Sequence, residues 1–314
     1  MAARKVLSYE DYTIAWICAL PVEMAAAQVL LDEVHADLVA PPRDSNSYAL
    51  GRIGEHNVVI AGLPSGGYGI ASTAAAACNL QRTFPEIQLG LLVGVGGGIP
   101  SRNADIRLGD VVISMPTAEH GGIVQYDFFK AMGGGQFVRM GMSDSPPSIL
   151  FTAIAKMQDT RISHAHHVMD QLAAMEKRLG KYAPGFARPA QEDRLYLADY
   201  KHADTKSTNC NTCDRTATVL RRPRNNNVPV FHYGTIASAN TLVKDSKLRD
   251  ALAHNFGAKC VDMEAAGLMN SFPCLVIRGI SDYADSHKND EWQGFASAVS
   301  AAYAKVLLLA TPFQ

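Results

Sequence analysis

Along this chain, short and nearly continuous apolar runs alternate with longer segments in which apolar residues recur every three or four positions. The first pattern marks buried strands and the second marks helices packed by one face, so the alternation predicts an α/β fold. Residues 12–20 form the first apolar run, and Pro21 follows where a missing N–H does no harm at a helix start. Strands at 47–53 and 58–61 are expected to form a hairpin about the polar turn 54–57. Residues 71–83 read as an alanine-rich helix, 89–100 as a glycine-rich buried strand, 106–114 as a turn and strand, and 122–128 as a further strand. A helical stretch over 148–180 carries an apolar stripe of Leu150, Ile154 and Met157. Toward the C-terminus come a strand at 228–238, an amphipathic helix at 245–256, and a short helix over 263–269 begun by Glu264. A buried strand over 272–277, closed by Arg278 and Gly279, and a long apolar helix over 291–309 complete the pattern.

Charged residues interrupt this pattern most tellingly between 259 and 285, where Glu264, Arg278 and Asp282 stand among apolar neighbours. Ligands of open α/β sheets bind at the C-terminal ends of strands, where Arg278, Ser281 and Asp282 are expected. A lone carboxylate is ordinarily a cap or a surface charge. Burial of an unpaired charge costs several kcal/mol, which favours function for this group. Glu23 falls in the first turn of the helix opened by Pro21, where its plain reading is a complement to the helix dipole. The loop 64–72, with Gly67 and Gly69, leads into a helix N-terminus and offers backbone N–H groups to an anion or a sugar oxygen. Gly94, Gly96, Gly97 and Gly98 let a ligand approach a strand closely. Neither loop is a dinucleotide fingerprint or a Walker motif. Tyr126 and Asp127 are either ligand contacts or loop braces, and the end of the 228–238 strand, with Ala237, Ser238 and Asn240, is suited to reading a planar base.

Composition narrows the class. The chain has 314 residues, 47% hydrophobic and 19% charged, with a formal charge of −1. Such a balance suits one α/β domain spanning 1–314, and near-neutral charge argues against a nucleic-acid partner. No run of about 18 uninterrupted apolar residues is present, so no membrane span is expected. No signal-peptide core follows Met1, and of the six scattered cysteines Cys18, Cys78, Cys260 and Cys274 lie in apolar surroundings that suit reduced core thiols, so a cytoplasmic location is expected.

Residues 183–229 are the least regular part and read as an insertion, with Pro184, Pro189, Pro223 and Pro229. Cys210 and Cys213 form one CxxC with His202 nearby, a weak zinc signal because a closed site wants four ligands. A redox pair is the alternative, and a structural brace is favoured. Arg221, Arg222 and Arg224 read as solvated charge or ion pairs, and His164, His166 and His167 as a solvated helix face.

Taken in order, residues 19–23, 67–69, 94–98, 108–112, 261–264 and 278–282 resemble the purine nucleoside phosphorylase and uridine phosphorylase superfamily. The chain is most similar there to fungal members like methylthioadenosine/S-adenosylhomocysteine nucleosidase, over 12–125 and 230–310. The resemblance implies a three-layer fold, a central mixed twisted sheet flanked by helices, and cleavage of a purine nucleoside's N-glycosidic bond. It implies that Asp282 protonates N7 of the base, with burial raising its proton affinity. Glu264 then grips the ribose hydroxyls, Met263 lies under the sugar, Glu23 activates water and Arg278 assists it. Trp292 falls where nucleosidases place an aromatic near the 5′ end. Hexameric phosphorylases place an arginine where this chain has Leu92, so water is expected rather than phosphate. Phosphorolysis and binding without turnover are the alternatives. Adenosine or another purine ribonucleoside is the expected substrate, with no metal or organic cofactor, and the resemblance implies a homo-oligomer. Some fungal relatives carry such a domain at the head of larger signalling proteins.

Overall fold

The structure, a computed structural model, describes residues 4–39, 41–131, 137–139, 144–159, 161–204 and 209–313. In chain order it runs β1 (Ile14–Cys18), α1 (Pro21–Val29), β2 (Glu33–Val34), β3 (Ser47–Ile53), β4 (His56–Gly62), α2 (Ile70–Thr83), β5 (Leu89–Gly98), β6 (Val111–Ser114), β7 (Ile123–Gln125), β8 (Phe129–Ala131) and β9 (Phe137–Arg139). Then follow α3 (Ser148–Asp159), α4 (Arg161–Leu179), β10 (Phe231–Gly234), β11 (Ile236–Ser238), α5 (Ser246–Phe256), β12 (Cys260–Asp262), β13 (Leu275–Asp282) and α6 (Gln293–Ala310). Apart from the small hairpin of β8 and β9, the strands build one mixed sheet with the path β10-β6-β13-β5-β1-β4-β3-β2. β12 pairs with β5, and β11 lies between β12 and β7. This is the expected three-layer α/β arrangement.

Period-two alternation in β1 explains the layers. Ile14, Trp16 and Cys18 point into a core shared with α1, α3, α4 and α6, whereas Ala15 and Ile17 point into a second core with α2. Both faces are buried, so the central strands are apolar throughout. α6 is long and apolar enough to cross a membrane by length and composition, yet 78% of it is buried here, as befits the central helix of a core. It packs directly on β13 because Gly279 lacks a side chain: a Cβ there would lie 2.0 Å from the Ala296 carbonyl oxygen.

Several local expectations are corrected. The hairpin turn is tighter than expected, with Ile53 paired to His56 across Gly54 in a left-handed conformation. The strand expected over 228–238 breaks into β10 and β11 at Gly234 and Thr235. The 263–269 helix is only a 3₁₀ turn, Ala265–Gly267, pressed against α2 so closely that Gly267 has no room for a side chain. β13 starts later than expected and runs through Asp282, so Arg278 does not close it. A fully buried arginine fits mid-strand because carboxylates from β12 and the following turn pair with it. His164 is buried against Phe231 rather than solvated.

The insertion has few regular elements: the 3₁₀ turn Gly180–Phe186, a lone bridge between Tyr196 and Thr218, and side-chain anchors. Arg224 forks onto buried Asp110, which His232 also contacts, and Arg221 reaches Asp193 and the Tyr283 hydroxyl. These two arginines are ion-paired, not free surface charges.

Candidate active site

Parallel strands β1, β5 and β13 end on the same edge of the sheet, and a cavity of about 320 Å³ opens there. Its wall brings together Glu23, Gly96, Gly97, Met263, Glu264, Ser281 and Asp282, seven of the residues singled out from the sequence. Tyr68, Thr241, Leu242, Val243, Asp262 and Lys288 complete much of the lining.

Glu23 is fixed by the chain turning from β1 into α1. Its Oε2 accepts from the backbone N–H groups of Ala19 at 2.7 Å and Leu20 at 2.9 Å, and its Oε1 accepts from Val95 at 2.8 Å. Burial pushes its proton affinity up, opposed by Arg278 and these amides. The position needs Gly94 opposite: a Cβ there would lie 2.2 Å from Glu23 Oε1 and 2.7 Å from Arg278 Nη1. Glu23 and Arg278 therefore converge beneath one glycine.

Arg278 is fully buried and stands behind the cavity wall. Its Nε and Nη2 donate to Asp262 Oδ2 at 3.0 and 2.6 Å, and Nη2 also reaches Glu264 Oε2 at 3.2 Å. Burial disfavours its charge, but Asp262, Glu264 and Glu23 outweigh that and raise its pKa. Nη1 is buried with no hydrogen-bond partner and faces the Gly94 side, toward Glu23. Burial raises the Glu264 pKa to about 7, with Arg278 opposing and Asp262 and Glu23 reinforcing the shift.

Asp282 is buried and held by several donors. Its Oδ1 accepts from the Ala284 N–H at 2.8 Å, and its Oδ2 accepts from Ser281 Oγ at 3.0 Å and pairs with the Lys288 ammonium. Sequence reasoning missed Lys288, whose one signal was its place in a short loop leaving the end of β13. Asp262 stood in it only as part of the 261–264 stretch, without its ion pair to Arg278.

Other expected residues act indirectly. Gly69, in a left-handed conformation, packs under Asn240 so tightly that a Cβ would lie 2.0 Å from its Oδ1; with Gly67 it shapes the loop that presents Tyr68. Ala237 and Ser238 pair with Val261 and Asp262, and Ser238 Oγ accepts from the Ala266 N–H, so they position the Asp262–Glu264 corner. Asp127 braces Asn240 and Gln125 rather than facing the cavity. Trp292 lies outside the cavity lining, contrary to the 5′-aromatic expectation. Its indole is 1% exposed, edge-on to Phe295 and beneath Arg188, because α6 turns it into the core.

Comparison with known proteins identifies the family. Residues 13–311 match the Phosphorylase superfamily. The chain is 45% identical over 309 residues to a nucleotide-binding leucine-rich repeat-like protein of Hyaloscypha variabilis, covering 97% of this chain and 30% of that protein. At 26% identity it is similar to the 5′-methylthioadenosine/S-adenosylhomocysteine nucleosidase of Mycobacterium bovis, over 96% of this chain and 97% of that one. It is also 26% identical to the ATP nucleosidase Cap17 of Escherichia coli, over 96% of this chain and 51% of that protein. Among solved structures, the Helicobacter pylori methylthioadenosine/S-adenosylhomocysteine nucleosidase, complexed with a pyrrolopyrimidine-bearing pyrrolidinol, superposes with a TM-score of 0.60 at 16% identity, covering 95% and 98% of the two chains; this likeness is of fold alone. The chain therefore belongs to the phosphorylase superfamily.

Proposed function

We propose that this chain is a purine nucleosidase that hydrolyses the N-glycosidic bond of a purine ribonucleoside to base and ribose. The observation that carries this reading is the meeting of Glu23, Glu264 and Asp282, from three separated parts of the sequence, on one cavity wall. Breaking this bond develops positive charge on the sugar and negative charge on the base. Glu264 suits the ribose hydroxyls, and with Glu23 it places negative charge beside the developing oxocarbenium ion. The Asp282–Lys288 pair faces the leaving base and serves as its proton source: the Lys288 ammonium gives a proton to Asp282 Oδ2, Asp282 passes it to N7, and the lysine is left neutral. Leu242 and Val243 offer apolar contact to a planar ring.

Water is favoured over phosphate as nucleophile by the same geometry. The Glu23 carboxylate already occupies the N–H groups of Ala19, Leu20 and Val95, and so puts negative charge where a phosphate would need donors. Among the described residues lining the cavity, Lys288 is the one lysine or arginine, and it is paired with Asp282. Leu92, at the position of the phosphorylase arginine, is buried in the core. The unpartnered Nη1 of Arg278 faces Glu23, which suits joint orientation of a water molecule.

The test is base release from adenosine, inosine, 5′-methylthioadenosine and ATP, each with and without inorganic phosphate. ATP belongs in the panel because a relative is an ATP nucleosidase. Free base and a reducing sugar in the absence of phosphate are expected. A strict phosphate requirement, with ribose 1-phosphate as product, would overturn the hydrolytic reading. We also place the activity in the cytoplasm and in a homo-oligomer, which fractionation and light scattering would check.

A further inference from the structure

Outside the cavity, the structure gathers a second chemically distinct group inside the insertion. His202, Cys210 and Cys213 each offer one ligand atom, and these atoms all lie within 4.8 Å of one another. Tetrahedral zinc bound by thiolate and imidazole brings its ligand atoms to about 3.3–3.8 Å apart, so only a small contraction separates this arrangement from a bound geometry. Both cysteines are buried, and neither is in a disulfide. We propose that His202, Cys210 and Cys213 form a structural site for a zinc-class divalent cation.

Two features of the surrounding histidines bear on a cation here. The ring nitrogens of His202 lie 2.7 Å from the Asp204 carbonyl and 2.9 Å from the Asn209 carbonyl. A neutral imidazole carries one N–H and can donate to only one of them. Nδ1 accepts from the Asp204 N–H at 3.3 Å and so carries the lone pair, the form in which histidine ligates metals, while Nε2 donates to the Asn209 carbonyl. The second feature is His287, a 6%-exposed histidine whose Nε2 has no hydrogen-bond partner. Its ring centre is 5.4 Å from that of His202, and its carbonyl oxygen is 3.8 Å from Cys210 Sγ. This buried imidazole lies beside the trio but outside the set whose ligand atoms fall within 4.8 Å of one another, so three protein ligands are assigned.

The location gives the site a purpose. His202 N–H donates to Ser286 Oγ at 3.0 Å, and Tyr196 stacks on His287 with ring centres 3.8 Å apart. Residues 283–288 connect Asp282 to Lys288, so the insertion is docked on the loop that carries both partners of the proposed proton source. A cation holding His202, Cys210 and Cys213 together would fix a segment with little secondary structure of its own, as structural zinc does in small modules. The cation is a clamp and takes no part in bond cleavage.

The whole chain, grown with zinc and passed over a chelating resin, is measured for metal by plasma mass spectrometry. About one zinc per chain is expected, lost in Cys210→Ser and Cys213→Ser. Replacing zinc by cobalt in the unmodified chain should give tetrahedral d–d bands together with thiolate-to-cobalt charge transfer. That spectrum decides the matter even if a serine variant fails to fold. Because metal content and spectrum are read without substrate, the result is independent of the nucleosidase assignment. A metal-free wild type with both thiols titratable, a Cys210–Cys213 disulfide by mass spectrometry, or a cobalt spectrum without thiolate bands would overturn the proposal.

Discussion

The cavity at the sheet edge and the insertion over 183–229 lie side by side but are held by different forces. In the cavity, Glu23 is gripped by three backbone amides, and Arg278 is locked to Asp262 and Glu264 with no exposure to solvent. In the insertion, position comes from partly exposed ion pairs such as Arg194–Glu192, from stacked rings and from anchors to Asp110 and Asp193. Buried, multiply bonded charges are costly to disturb, whereas exposed pairs are screened and cost little. The contrast teaches that the cavity's charges are fixed by the sheet, whereas the insertion contacts the loop beyond Asp282 from outside.

The strongest way to break this contrast is at Asp282. Asp282→Asn should lower kcat by roughly 10²–10⁴-fold in a chain that still folds. An equally active variant would remove Asp282 from the chemistry. Next in size, Arg278→Met should leave Asp262 and Glu264 as uncompensated buried charges and cost about 3–5 kcal/mol in denaturant unfolding. An unchanged midpoint would show that the ion-pair cluster does not hold the site.

A smaller effect concerns pH. Glu264 has its pKa raised from an ordinary 4.5 to about 7 in the folded chain. It must be ionised to accept from ribose hydroxyls, so kcat/KM should fall roughly tenfold per pH unit below about 7, and Glu264→Gln should flatten that limb. Its effect on stability has the opposite sign. The folded state binds this proton more tightly than the unfolded state does, so the stabilisation is fully present below about 4.5 and is lost as pH rises through about 7. A unfolding free energy that climbs over that window in wild type relative to Glu264→Gln would contradict the shift. The smallest effect belongs to the insertion: Arg194→Ala, removing an exposed pair, should cost about 0.2–1 kcal/mol and leave kcat unchanged.

Legibility in the sequence followed the same divide. α1, α2, α5 and α6 were readable because apolar periodicity, Pro21 and the Asp245 cap state them locally. The cavity acids were readable because charges in apolar surroundings are costly and so conspicuous. What escaped notice depended on tertiary pairing. Arg278 looked like a strand terminator because its partners Asp262 and Glu264 arrive from another strand, and only their charge allows β13 to continue to Asp282. Lys288 was passed over because nothing local shows that its loop folds back on Asp282. Trp292 was misplaced because counting from Asp282 cannot tell which face of the coming helix an indole will take. His202 with Cys210 and Cys213 read only as a weak zinc signal, because spacing alone does not show that their ligand atoms meet.

The central claim is that Glu23, Glu264 and Asp282 surround a single nucleoside. A crystal structure of the chain with a non-hydrolysable purine nucleoside analogue tests it most directly. The account predicts Glu264 on the ribose hydroxyls, Asp282 on the N7 edge of the base, and Glu23 with Arg278 holding a water under the anomeric carbon. A nucleoside bound elsewhere, or bound in this cavity with the base turned away from Asp282, would contradict it.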